Sequence, residues 1–382
     1  MKNTTGQRLA SLDLLRGADI FFLTVFCPIL YEVNRVWPMS DRFMCQFGHP
    51  DWVGFSVLDM VMPLFIFMCG AALPLALPRR LEPDGHAGRR YWGHVFARVA
   101  LLWGLGMFAQ GEIQSFDLHR ISFFNNTLQA IACGYLIGAA VMRLKSRLGQ
   151  VALTLAMAFG YSLFLRLGGD MSPTGNAAVL AEVKFLTLFY PDATWYPVSQ
   201  IVDWHYTWWP TIPMFGFMAL AGAFSTEILR SALSPRRRAG ALAAVGCGLL
   251  ALGGIFSLFE PVVKHIYTSS FTFLATGGCV LLFALFYVLF DILALRRGTA
   301  LLALFGRRSL MAYLLIETSL RSVLRSAAAI VFCGTSGKVG DGLSRFFSPE
   351  ASELVIMVLI SILLCALLVF WEKVKASRVL SK

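Results

Sequence analysis

Apolar residues along this chain fall in long unbroken runs, not in the alternation of a strand or the one-sided stripe of a soluble helix. Ten runs stand out, roughly 11–31, 55–78, 93–111, 126–143, 150–167, 208–226, 238–259, 271–295, 299–320 and 353–373. Each is near the ~20 residues that a helix needs to cross a hydrocarbon core. Backbone amides in lipid must bond within their own segment, so such runs predict helices. The expected fold is all-α, a polytopic membrane helix bundle of about ten transmembrane helices forming a single domain over 1–382. The run 126–143 is short, and Ala327 to Cys333, within 320–352, reads as a re-entrant piece. The longest polar gap, 168–207, is too short and too aromatic for a soluble domain.

Charge tests that count. With the N-terminus inside and sides alternating, 23 of the 33 basic residues fall inside and 10 outside. An excess of Lys and Arg marks cytoplasmic loops, which places both termini in the cytoplasm. The net charge of +11 sits in these short loops, so it speaks for topology and against a nucleic-acid partner. The chain is 57% hydrophobic and 14% charged, with a mean hydropathy of +0.67, against the roughly 25% charged residues of soluble domains. The expected partner is the lipid bilayer. Among eight cysteines there is no CxxC pair or metal-ligand spacing, so no metal is expected. Cys27, Cys69, Cys133, Cys247, Cys279 and Cys365 lie in apolar runs and read as small hydrophobes. The first run carries Asp13, Arg16 and Asp19 and lacks a small-residue cleavage site, unlike a signal peptide.

Polar residues in the apolar surroundings carry the candidate chemistry. His49-Pro50-Asp51-Trp52-Val53-Gly54 leads into a helix bearing Asp59 and Pro63, all at the outer mouth of the second span. An imidazole there can take a proton from an incoming hydroxyl or amine. Asp59, one turn into the helix, can orient that imidazole or hold a basic residue; a carboxylate inside a membrane helix is costly and usually functional. Asp13, Arg16 and Asp19 recur every third residue on one stripe, either as a structural ion network or as part of a binding site. Ser11 with Asp13 reads as a cap for that helix. Asn125, Asn126 and Gln129 open the fourth span. Glu260 to Ser270 bridges spans seven and eight on the outside, and brings Lys264 and Ser269. Glu317 lies in span nine. Cys45 with His49 carries little weight as a nucleophile pair. Trp37, Trp52, Trp195, Tyr196, Trp204, Trp208 and Trp209 fall at the outer face, as an interfacial belt or as rings for a sugar. Arg79, Arg80, Arg307 and Arg308 face the cytoplasm, where they serve topology alone or meet phosphates.

Several segments, in order along nearly the whole chain, resemble the transmembrane acyltransferases related to heparan-alpha-glucosaminide N-acetyltransferase, and more closely their bacterial relatives of unassigned function. They are Arg8 to Gly17, His49 to Gly70, Leu128 to Tyr135, Thr211-Ile212-Pro213, Pro261 to Phe271 and Gly306 to Tyr313. The resemblance implies acetyl-CoA as a donor substrate from the cytoplasm, a sugar or glycan acceptor on the far side, and catalysis by His49 on the periplasmic side of an inner membrane. It leaves a homodimer open. The candidate binding set is Asp13, Arg16, Asp19, Trp52, Asn126, Gln129, Lys264, Ser269 and Glu317, around catalytic His49 and Asp59. Cys27 stands where the family has an Asn or an acid, Ala130 where it has an Arg, and Asp203 to Thr207 replaces an Asp-Pro-Glu-Gly piece. A transporter or flippase for a sugar or lipid-linked glycan is the alternative function, since intramembrane charges and outer aromatics also suit it. The lack of an internal repeat counts against that alternative.

Overall fold

The computed structural model describes residues 9–82, 85–109, 124–188, 207–317, 322–323, 326 and 348–380, with the side chains of Glu317 and 375–380 outside that description. The described residues are mainly helical, joined by loops and turns, and among them the extended pairing is one isolated antiparallel bridge between Val53 and Val263. Eight helices among them are long and apolar enough to cross a bilayer. They are α1 (Ala10–Val36), α2 (Leu58–Arg80), α3 (Arg89–Ala109), α5 (Arg147–Gly168), α7 (Trp209–Arg230), α8 (Pro235–Ser257), α9 (Ser269–Ile292) and α12, whose apolar part is Pro349–Val374. Between them lie α4 (Thr127–Val141), α6 (Ala177–Thr187), α10 (Ala300–Arg307) and α11 (Ser309–Glu317). The run 126–143 is thus a helix of only 15 residues. The run 299–320 is split at Arg308, whose backbone (φ −120, ψ 24) leaves the helical region.

Side chains at the helix starts explain why the elements begin where they do. Asn126, Ser146, Asn176, Ser234 and Thr268 each accept a backbone N–H of the first turn. The first helix departs from expectation. Its cap is not Ser11 with Asp13: the Asp291 carboxylate accepts the N–H groups of Ala10 (3.2 Å) and Ser11 (3.0 Å). A carboxylate there satisfies orphan donors and suits the helix dipole. Ser11 Oγ is left buried with no hydrogen-bond partner among the described residues.

The chain divides into two compact units. The first comprises Met1–Leu12 and Gly48–Ala294. In it α7 packs on α2, α4 and α5, α3 packs on α4, and α8 pairs along its length with α9. Prolines shape α2. Pro78 lacks the N–H that would meet the Pro74 carbonyl, and Arg230 donates to that carbonyl at 2.6 Å instead. Thr226 Oγ1 donates to the Ala71 carbonyl at 2.8 Å. The second unit comprises Asp13–Phe47 and Leu295–Lys382. There α12 packs on Cys27–Val36, and a widened turn at Phe22–Phe26 precedes Pro28, whose ring and missing N–H disturb the ladder.

The α2–α7 contact depends on two glycines. A Cβ at Gly70 would stand 1.8 Å from the Ala219 carbonyl oxygen, and one at Gly222 would stand 2.0 Å from that of Phe67. Small residues let membrane helices approach this closely. Gly70→Ala is therefore expected to cost about 1–3 kcal/mol by overpacking and to lower the thermal midpoint in detergent. Gly160→Ala, where nothing lies within 4 Å, is the control and should leave the midpoint unchanged or raise it.

Candidate functional site

The segment from His49 to Asp59 folds as an approach to α2, and its sequence explains its shape. Gly54 adopts φ +150, and a Cβ there would fall 2.9 Å from the Pro50 ring, so only glycine fits after His-Pro-Asp-Trp-Val. Its N–H donates to the Val262 carbonyl at 2.8 Å, beside the Val53–Val263 bridge. Ser56 and Asp59 then bond reciprocally: the Ser56 N–H donates to Asp59 Oδ2 (3.0 Å) and the Asp59 N–H to Ser56 Oγ (3.3 Å). This Ser-x-x-Asp exchange is a capping box, which fixes the carboxylate as it starts the helix.

The other oxygen of Asp59 faces two bases. His49 Nδ1 lies 2.7 Å from Asp59 Oδ1, and Lys264 Nζ lies 3.2 Å from the same atom. The Asp59 side chain has no solvent exposure, that of Lys264 is 14% exposed and that of His49 48%. Lys264 Nζ is also 3.0 Å from Nδ1 and 3.2 Å from Nε2 of His49. In the ring plane such a position would overlap Cε1, so the ammonium lies over a face of the imidazole. With Nδ1–H donated to the carboxylate, the neutral ring carries its lone pair on Nε2. Burial pushes the Lys264 ammonium below the ordinary lysine range, and the adjacent Asp59 carboxylate works in the opposite direction. The arrangement pairs a base with an open nitrogen and a cation that can also give a proton.

Lys264 is 215 residues from His49, and a loop anchored by hydrogen bonds delivers it. Glu260, buried at the end of α8, accepts the Ser269 N–H (2.5 Å) and the Ser162 hydroxyl. Tyr161 donates its hydroxyl to the Ile266 carbonyl at 2.7 Å, and the Trp208 indole N–H donates to that of His265 at 2.6 Å. Thr268 Oγ1 accepts the Val263 N–H at 3.0 Å. The loop turns at Tyr267, whose φ of +48 is costly for a tyrosine and is held by its full burial.

The remaining candidates have varied positions. Trp52 joins the His49 segment to the rest: its indole N–H donates to the Met171 carbonyl (2.7 Å), and its ring stacks on His265 with centroids 5.5 Å apart. Ser269 is fully buried, with its hydroxyl given to the Ala158 carbonyl at 2.8 Å. Asn126 caps α4, and the buried Gln129 accepts the Asn125 N–H at 2.8 Å. All these belong to the first unit. Asp13, Arg16, Asp19 and Glu317 belong to the second. Asp13 and Arg16 lie 3.8 Å apart as an i,i+3 ion pair, whereas the buried Asp19 has an Oδ2 without a hydrogen-bond partner among the described residues. The Glu317 side chain lies outside the described residues. Arg307 and Arg308 both contact Glu372, at 3.4 and 2.9 Å, while Arg79 and Arg80 are exposed. Cys247 is exposed on α8, unlike the buried Cys27, Cys69, Cys133 and Cys279.

Trp208 is a correction. Its sequence position suggested the outer belt, but it is 2% exposed and holds the Lys264 loop. Trp37 and Trp209 are exposed, and Trp195, Tyr196 and Trp204 lie outside the described residues. Sequence reasoning also missed Ser56, although Ser-x-x-Asp before an apolar run is a readable capping signal. Glu182 was missed as well. It is buried in α6 and accepts the Trp209 N–H at 2.8 Å, next to Trp208. The chain matches no protein-family model, and no curated protein sequence matches it.

Burial pushes the Glu182 carboxyl up to about 7 from 4.5, against the lowering effect of the Trp209 N–H. The folded state therefore keeps a proton that the unfolded chain has lost, and stability falls as pH rises from about 4.5 to 7. Glu182→Gln should flatten this fall and exceed wild-type stability at pH 8 by at most about 3 kcal/mol. Thermal midpoints in detergent across that range check it, and parallel curves for the two proteins would contradict it.

Proposed function

We propose that this protein is a membrane-bound acyltransferase that moves an acetyl group from acetyl-CoA to an amine or hydroxyl of a sugar or glycan. The observation that carries this reading is the Asp59–His49–Lys264 cluster: Nδ1 of His49 within 2.7 Å of a buried carboxylate, and a lysine ammonium within 3.2 Å of both ring nitrogens. The segments that resemble the sugar N-acetyltransferase family include both halves of this cluster, the His49 and Pro261–Phe271 blocks.

In the proposed reaction His49 Nε2 takes the proton of the acceptor as its oxygen or nitrogen attacks the thioester carbonyl. The carbonyl becomes an oxyanion, which Lys264 stabilises by charge and hydrogen bonding. The carbon–sulfur bond then breaks, and the CoA sulfur leaves as a thiol with a proton returned from the imidazolium. Asp59 keeps the ring in the Nδ1–H tautomer throughout, as the orienting group of a base–carboxylate pair. A variant of the route places the acetyl group first on His49 and then on the acceptor. The basic-residue asymmetry supports a cytoplasmic donor, with both termini on that side and His49 at the periplasmic mouth of an inner-membrane bundle.

The test is purified protein with acetyl-CoA and a panel of amino sugars, read by mass spectrometry for an acetyl mass increment of roughly 42 Da on the sugar or on His49. His49→Ala should lower turnover by roughly 10²–10⁴-fold, and Lys264→Met by roughly 10²–10³-fold if it serves the oxyanion. Because each change also takes a partner from the buried Asp59, turnover is compared per amount of folded protein. Unchanged turnover in His49→Ala would reject the role. Labelled sugar crossing liposomes unmodified, with no CoA released, would replace the enzyme by a transporter.

A further inference from the structure

Charges already present in the His49 cluster restrict what can approach its open nitrogen. Nδ1 is spent on Asp59 Oδ1 at 2.7 Å, so Nε2 is left to receive a proton. Lys264 Nζ stands 3.2 Å from Nε2 and 3.2 Å from Asp59 Oδ1. An acceptor hydrogen-bonded to Nε2 at about 3 Å is therefore no more than about 6 Å from that ammonium. The Asp59 carboxylate lies at the opposite, Nδ1 edge of the ring and has no solvent exposure. A cationic acceptor thus meets the positive member of the pair first. Among the described residues no other carboxylate pairs with His49 or Lys264. Glu260, at the root of the Lys264 loop, is buried and already holds Ser162 and Ser269. Asp51, two residues beyond His49, is exposed, and an exposed carboxylate holds a cation only weakly.

Proton balance points the same way. A hydroxyl attacking the thioester carbonyl forms one carbon–oxygen bond and loses one proton to Nε2. The carbon–sulfur bond breaks and that proton passes to the CoA sulfur, so an ester and a thiol leave with one base used once. A sugar ammonium has two protons to lose before it is an amide. One frees the lone pair for attack, and the second leaves as the carbon–nitrogen bond forms. One of the two ends on the CoA sulfur and the other has to reach water. His49 holds one proton at a time, Asp59 is enclosed, and Lys264 is already a cation. The cluster is complete for a hydroxyl and one base short for an ammonium.

We infer, on the acyl-transfer reading of His49, that the acceptor at this site is a neutral sugar hydroxyl and the product an O-acetyl ester. At an effective dielectric of about 20, two unit charges about 6 Å apart repel by on the order of a hundredfold in binding, before the carboxylate at the far edge offsets part of it. Sugar amines are taken only in their unprotonated form. At about pH 6.5 that is roughly 3% of an amine whose pKa is near the ~8 of an α-amino group.

The experiment gives the purified full chain acetyl-CoA with glucose, galactose, glucosamine or galactosamine at about pH 6.5. Acetylated sugar is quantified, and neutral hydroxylamine, which cleaves esters and spares amides, tells the two products apart. Ester on the neutral sugars should form at least about tenfold faster than amide on the amino sugars. Lys264→Met should raise the amide-to-ester ratio at least about threefold, and this ratio does not depend on how much protein folds. Asp51→Asn should leave the ratio unchanged. The wild-type ratio carries the test where Lys264→Met fails to fold. Amide formed as fast as ester, a ratio that Lys264→Met leaves unmoved, or a loss of amide in Asp51→Asn would overturn the hydroxyl acceptor and leave acyl transfer standing. No acetyl group on any of these sugars would overturn both.

Discussion

A carboxylate without solvent contact, at the entrance of an apolar helix bundle, sets the terms for the surrounding structure. Asp59 can stay there only if its oxygens are fully engaged. One oxygen takes the Ser56 N–H and the other meets His49 and Lys264. That requirement ties three distant parts of the chain together. The Gly54 turn brings the imidazole, the Glu260–Thr268 loop brings the ammonium, and Trp208, Tyr161 and Glu260 hold that loop against the bundle. The paired charges of Asp59 and Lys264 offset each other, so His49 rests against a locally balanced pair. Its half-exposed ring is the part of the cluster open to a reactant.

The same constraint explains why the Lys264 loop is tied to its surroundings by so many hydrogen bonds. A lysine placed over an imidazole face within about 3 Å must be positioned to a few tenths of an ångström, and a solvated loop would not do that. The Lys264 loop instead makes hydrogen bonds to α5, to the segment before α7 and to the His49 segment. Glu182, through the Trp209 N–H, holds the neighbouring residue of the same Trp208 anchor.

Long apolar runs were legible in the sequence because lipid leaves the backbone one economical solution, the helix. The shortness of α4 was legible in the run 126–143, whereas the break at Arg308 was not, since hydropathy reports how apolar a stretch is and not where its ladder is interrupted. His49 and Asp59 were readable as a pair because ten residues separate them and a helix start lies between. Lys264 was readable only as a loop cation, because its partnership depends on a fold that closes over 215 residues. Trp208 read as an interfacial aromatic because sequence position gives no sign of the buried carbonyl that its indole meets. Asp291 was invisible as a cap for the same reason, being 281 residues from the amide it serves.

The tautomer of His49 tests this account most directly. Nitrogen-15 NMR of histidine-labelled protein, assigned with His49→Ala, distinguishes a proton on Nδ1 from one on Nε2. The Asp59 contact requires the neutral ring to carry its proton on Nδ1, and Asp59→Ala should release that preference. A wild-type signal showing the proton on Nε2, or one that Asp59→Ala leaves unmoved, would contradict it.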